Sequence, residues 1–164
     1  ASVSQGGYEI TLSSQLAGGP PHKAFDQTPA EFAITGGGGT VGWASANNFS
    51  ASAATAPNDQ FGFNIAQEFI LMALPAEKTI TSIKLKQRGD SASHNASPAD
   101  FIIYTSTDKA NWTVFKAVTG YSTSIDYEEV EYPGYITAKY VGISITANNG
   151  NTAVAIGEIF IKGF

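Results

Sequence analysis

The sequence contains no cysteine. That excludes disulfide frameworks, thiolate zinc sites and cysteine nucleophiles, and it leaves the redox compartment unread. Charge is scarce: 14% of the 164 residues are Asp, Glu, Lys or Arg, against roughly 25% in ordinary soluble domains. The balance is acidic, with 9 Lys and Arg against 14 Asp and Glu for a net of −5. Neither a basic groove for nucleic acid nor a polybasic membrane face fits that composition. No apolar run approaches the roughly 18 residues of a membrane span; the longest, Phe69 to Leu74, stops at Pro75. No window holds a 3.6-residue apolar period, so amphipathic helices are not expected. The N-terminus lacks a charged segment followed by an apolar one; no signal peptide is visible, as in a mature form or a domain cut from a longer chain.

What is present is a hydrophobic content of 43% with 12% aromatics, enough for a sizeable core in one domain over residues 1–164. The polar remainder is Ser, Thr, Asn, Gln and Gly, which suits strands and turns. Strands are predicted over Glu9–Leu12, Gln67–Leu74, Ile80–Gln87, Phe101–Ser106, Trp112–Val118, Tyr127–Tyr132, Lys139–Thr146 and Ala153–Lys162. In Ile80–Gln87, Ile83 and Leu85 alternate with Lys84 and Lys86. Polar turns at Thr107–Asn111 and Ala147–Thr152 read as hairpin connections. The fold class is all-β: a sandwich or jelly roll of about eight antiparallel strands. Gly36–Gly39 lacks the Lys-Ser/Thr and helix of a phosphate-binding loop and reads as a flexible loop. Asn47–Asn58, rich in Ala, Ser and Asn, reads as a long surface loop.

Catalytic constellations are missing. There are two histidines, His22 and His94, and no G-x-S-x-G elbow. Asp126, Glu128, Glu129 and Glu131 lie along one predicted strand and cannot all face one cleft, so a glycosidase pair is not supported; they read as a solvated edge strand. The chain is therefore expected not to be an enzyme. Glu158 stands out, because alternation places it on the face of Ile156 and Phe160. A buried carboxylate has to be paired, solvated at a strand end, or bound to a cation. Asp26, in His22-Lys-Ala-Phe-Asp-Gln27, is a second acid in an apolar setting. Two acids with loop carbonyls form an oxygen set of the kind calcium takes.

Several segments, in order, resemble the discoidin, or factor V/VIII C-type, domains. These are Ala24-Phe-Asp26, Trp43-Ala-Ser45, Gln67–Leu74 and Ile83–Arg88, then Asp100-Phe-Ile-Ile-Tyr-Thr-Ser-Thr-Asp-Lys-Ala-Asn-Trp112, Tyr140-Val-Gly-Ile-Ser-Ile145 and Ala155-Ile-Gly-Glu-Ile-Phe-Ile161. The resemblance covers about residues 20–164. Its most specific part is Ser106-x-Asp108-x-x-Asn111-Trp112, against a family pattern of S-x-D-g-x-N-W. It implies a galactose-binding-like jelly roll similar to family 32 carbohydrate-binding modules. It also implies a structural calcium ion held by Asp26 and Glu158, with the Lys23 carbonyl and Thr40 hydroxyl as further ligands. Gln27 stands where that family usually has glycine, and an insertion separates Asp26 from Trp43, so a remodelled or empty calcium loop is the alternative.

For a sugar site the resemblance points to Arg88, at the end of a strand, and Asn95 in the loop after it. Arg and Asn present paired donors and acceptors that grip vicinal hydroxyls. Ala44 follows Trp43 where galactose-preferring relatives have histidine; His94 either substitutes or is a solvent-exposed turn residue. Asn149 lies in the last loop, which has asparagines where relatives place a stacking aromatic. Trp43 and Trp112 are candidate stacking platforms; Trp43 reads equally as a packed residue, and Trp112 reads rather as core or hairpin packing. Tyr121, Tyr132 and Tyr135 read as surface aromatics. Asn48-Phe-Ser, Asn95-Ala-Ser and Asn111-Trp-Thr match the glycosylation triplet by chance composition.

The expectation is thus a non-catalytic, lectin-like carbohydrate-binding module on an extracellular or surface-displayed protein, possessing a structural calcium ion and binding cell-surface or polysaccharide glycans. The rival is a structural or assembly module, such as a phage appendage or a spacer in a larger surface protein. Membrane-lipid recognition ranks last at net charge −5.

Overall fold

A computed structural model describes residues 2–5, 8–13, 43–45, 49, 68–87, 94–122 and 129–164. Its strands are β1 (Ser2–Gln5), β2 (Tyr8–Leu12), β3 (Trp43–Ala44), β4 (Glu68–Gln87), β5 (Pro98–Ser106), β6 (Thr113–Val118), β7 (Glu129–Asn148) and β8 (Ala155–Gly163). All described pairings are antiparallel.

Two long strands organise the sandwich. The first half of β4 pairs with β2 and with the second half of β7, which continues to β5 and β6. The second half of β4 pairs with the first half of β7 and with β8, which holds β3. Between Ala73/Tyr140 and Lys78/Ala138 the register jumps. The residues that bulge out there include exposed Pro75, Ala76 and Glu77, and there the paired strands pass from one layer to the other. Sequence reading ended strands at Pro75 and before Lys139; the chain instead carries both strands through the corner, because proline is tolerated where its missing N–H falls in a bulge.

Both halves close on one core. Layer one contributes Ile10, Leu12, Ile70, Met72, Phe101, Ile103, Val141, Ile143 and Ile145, and layer two Ile80, Ile83, Leu85, Tyr132 and Ile159. Registers such as Ile70↔Ile143↔Ile103 and Leu85↔Ile159 set these side chains on the inward face. Tyr132 is buried, edge-on to Phe101, and is not a surface aromatic; burial raises its phenol pKa.

The outer faces differ. Layer one packs Phe69, Leu71 and Tyr104 with Ile102 and Trp112, so Trp112 is a hairpin-packing residue as predicted. Layer two carries a charged ladder: Lys84 reaches Glu129 at 2.8 Å and Lys162 reaches Glu131 at 3.0 Å. Ser82 donates to Glu131 at 2.6 Å. The first half of β7 is an edge among the described residues, as its acidic sequence suggested.

Candidate functional site

At one end of the sandwich three distant segments meet. β3 runs antiparallel to β8, with Trp43 opposite Ile156. Beyond it, Ser45 N–H donates to the Val154 carbonyl at 2.8 Å, and the Ser45 hydroxyl accepts from Val154 N–H at 2.9 Å. Phe49 N–H donates to the Thr152 carbonyl at 2.9 Å. Residues 43–45 and Phe49 are thereby tied to 152–156.

The second segment is a single 3₁₀ turn, His94–Ala96, closed by Ser97 N–H on the His94 carbonyl at 3.1 Å. The third is the loop after β7, built on asparagine amides. Asn148 Nδ2 donates to the Asn151 and Ala153 carbonyls at 2.8 and 2.7 Å, while its Oδ1 accepts from Gly150 and Asn151 N–H. Gly150 has φ +104°, a conformation that L side chains rarely adopt. Two amides tie this loop to the 3₁₀ turn: Asn149 Nδ2 donates to the Ser97 carbonyl at 2.9 Å, and Asn151 Nδ2 to Asn95 Oδ1 at 2.8 Å.

His94, Asn95 and Asn149 are therefore gathered within one loop cluster, and the backbone of Trp43 lies on the strand beside it. Gln87, which ends β4 immediately before Arg88, is the other Cα partner of Ile156. Trp43 and Gln87 consequently flank β8, two strand spacings or about 10 Å apart. Arg88 itself lies outside the described residues, as do Lys23, Asp26 and Thr40.

Sequence reading passed over Gln87, Asn148 and Asn151. The two asparagines are the frame of the loop, a role visible only once their carbonyl partners are placed. Gln87 is 1% exposed, and neither its Oε1 nor its Nε2 has a hydrogen-bond partner among the described residues; the same holds for the buried Nδ1 of His94. Buried polar atoms without partners cost about 1–3 kcal/mol each and mark places where solvent or a ligand supplies the missing contact.

Glu158 is fully buried on β8. Its Cα partner is Lys86, and the next pair is Gln87↔Ile156, so β8 has one extra residue at Gly157. That bulge separates Glu158 from the inward face of Ile156 and leaves it on the side of Lys84, Lys86 and Phe160, correcting the strict alternation expected from sequence. A buried carboxylate is a suitable calcium donor. Among the described residues no group of three or more His, Asp or Glu surrounds it, and the other expected ligand residues, Lys23, Asp26 and Thr40, lie outside the described residues.

The model of the F5/8 type C domain family matches residues 9–159. No curated protein sequence matches the chain. Among solved structures, a family 32 carbohydrate-binding module of Clostridium perfringens NanJ, in complex with galactose, superposes with a TM-score of 0.65 at 14% identity, covering 98% of this chain and 96% of that one. The C-terminal domain of a chitobiase from Bacteroides fragilis gives 0.64 at 20%, covering 100% and 98%. The lectin domain of lectinolysin, complexed with Lewis B antigen, gives 0.62 at 18%, covering 93% and 90%. These likenesses establish the jelly-roll fold.

Proposed function

This chain belongs to the F5/8 type C domain family, and from that premise we propose that it is a non-catalytic carbohydrate-binding module whose site is the loop cluster around His94, Asn95 and Asn149. The observation that carries the reading is the pair of amide ties, Asn149 to Ser97 and Asn151 to Asn95. They hold polar side chains from separate loops in fixed relation on a rigid sandwich, the arrangement that a sugar's ring of hydroxyls requires.

Asn149 Oδ1 and Asn95 Nδ2 are the amide atoms that these ties leave over, an acceptor and a donor. Arg88, next in sequence to buried Gln87, adds a planar fork of donors. Trp43 supplies the stacking face. A shallow polar site of this type binds one sugar with micromolar to millimolar affinity, roughly −8 to −4 kcal/mol. Solved relatives in complex with galactose and with Lewis B antigen support the ligand class.

Calcium belongs to the proposal as a structural ion. Asp26 and Glu158, with the Lys23 carbonyl and the Thr40 hydroxyl, would hold it, and its contribution would be to fix the loops by charge neutralisation. An extracellular or surface-displayed setting, where free calcium and glycans coexist, completes the reading.

A glycan array of the labelled protein, run with calcium and with EDTA, tests it. Expected is a set of hits that Arg88→Ala and Asn149→Ala abolish and that EDTA weakens. A blank array under both conditions would assign the loop amides to architecture alone and favour the structural-module reading.

A further inference from the structure

The Ser106–Trp112 turn lies at the other end of the sandwich from this cluster, about eight residue steps or roughly 26 Å along β5. It is closed by its own side chains. Asp108 Oδ1 accepts from Ala110 and Asn111 N–H at 2.8 Å each and from the Ser106 hydroxyl at 3.1 Å, and Oδ2 accepts from Asn111 Nδ2 at 2.8 Å. Within this frame Lys109 has φ +64°, the one non-glycine residue with positive φ among the described residues. The left-handed region is costly for an L side chain, and the family pattern has glycine at this position. A strained residue whose side chain the turn does not need is a pointer to function.

The side chain goes to an aromatic ring. Lys109 Nζ lies 5.0 Å from the centroid of Tyr140, and Lys139 Nζ lies 5.8 Å from the same centroid. Two ammonium groups converge on one ring in a chain of net charge −5. Unlike Lys84, Lys86 and Lys162, neither is in an ion pair among the described residues. The nearest carboxylate in sequence, Asp108, is committed to the turn. Two positive charges held against one ring with no carboxylate opposite them among the described residues are complementary to an anion. Tyr140 holds the two ammonium groups in place by cation–π contact.

We propose that Lys109, Lys139 and Tyr140 form a second binding site, for the anionic groups of an acidic polysaccharide. The exposed tip, Thr107–Asn111, is wholly polar or small, which argues against insertion into a lipid surface. The site does not depend on the loop cluster described above.

Binding to polygalacturonate, dextran sulfate and neutral dextran, each at about 20 mM and about 500 mM salt, tests the proposal. The charged polymers should bind at low salt and be released at high salt, with neutral dextran giving no response at this site. Retention of one charged polymer and not the other would identify carboxylate or sulfate as the group read. Lys109→Gly should weaken binding about two- to fivefold while leaving Tm unchanged or raised, because glycine removes the strain. Adding Lys139→Gln should carry the loss to about tenfold or beyond. Asn149→Ala should leave this binding intact. The proposal is overturned if the double variant binds the charged polymers as the native chain does, or if Asn149→Ala abolishes that binding. Capture by phosphatidylserine-containing vesicles without binding to either polymer would overturn it equally.

Discussion

Two polar turns, Ser106–Trp112 and Asn148–Ala153, cap opposite ends of the same sandwich and solve the same problem by different chemistry. The first is local: the hydrogen bonds to the Asp108 carboxylate come from within three residues. An ionised carboxylate collects the backbone N–H groups, and its pKa is held well below the usual range, chiefly by Asn111 and then Ala110. The second turn is framed by a neutral amide, Asn148, which both donates and accepts. Its neighbours Asn149 and Asn151 then reach a loop more than 50 residues away in sequence. A carboxylate can only accept, so it closes a turn on itself; an amide does both and can join loops. Positive φ is treated differently as well, with Lys109 at +64° and Gly150 at +104°. The first value is strained but accessible to a side chain, whereas the second requires glycine.

The contrast breaks most visibly at Asn148. Replacing it with alanine removes two donated and two accepted bonds in a part-buried loop. Stability should fall by about 2–4 kcal/mol, roughly 5–15 °C in Tm, and glycan binding should be lost with the frame. A thermal melt within a degree or two of the native chain would show that the amide hub is dispensable. Gly150→Ala comes next. No atom lies within 4 Å of the added Cβ, so the cost is backbone strain alone, about 1–2 kcal/mol. Gly150→Asn should be less damaging than Gly150→Ala if that account is right, since asparagine tolerates positive φ better.

This difference also explains what the sequence disclosed. The Ser-x-Asp-x-x-Asn-Trp turn was legible because all its contacts are short-range, so spacing alone encodes them. The inward alternation of Ile83 and Leu85 against Lys84 and Lys86 was legible for the same reason. The corner at Pro75 was not, because a bulge depends on the partner strand's register rather than on local pattern. Nor was the displacement of Glu158 from the face of Ile156, which follows from a single extra residue at Gly157. Asn95 and Asn149 could be nominated from the resemblance, but the ties between their loops, and the burial of Gln87 beside Arg88, required the sandwich to be assembled.

Acid should act on one turn and spare the other. The Asp108 carboxyl has a folded pKa below its ordinary 3.8. Its stabilisation is therefore complete above that ordinary value and is lost as pH falls toward the folded one. Glu129 and Glu131 are lowered too, chiefly by hydrogen bonds from Lys84 and from Ser82 respectively, and share the same sign. Tm should thus decline below about pH 4. Asp108→Asn should flatten that decline while costing stability at neutral pH, since the variant keeps an acceptor but loses the charge. Asn148→Ala should shift the whole profile downward without changing its shape. Equal slopes for the native chain and Asp108→Asn would remove Asp108 from the account.

The smallest change in stability should accompany a large change in binding. The Asn149 side chain donates to the Ser97 carbonyl, so Asn149→Ala should cost no more than about 0.5–1.5 kcal/mol. Asn149→Asp refines the test. The aspartate keeps an acceptor near the position of Oδ1 but cannot donate to Ser97, and it adds a negative charge to a site proposed to read neutral hydroxyls. If Asn149 serves the ligand through its oxygen, the aspartate variant should retain part of the glycan binding that alanine loses, with both variants folded. If it serves only by tying two loops, both should lose binding equally, because both remove the donor. Glycan binding measured beside thermal melts for the pair therefore separates contact from scaffolding at a loop position where the two roles coincide.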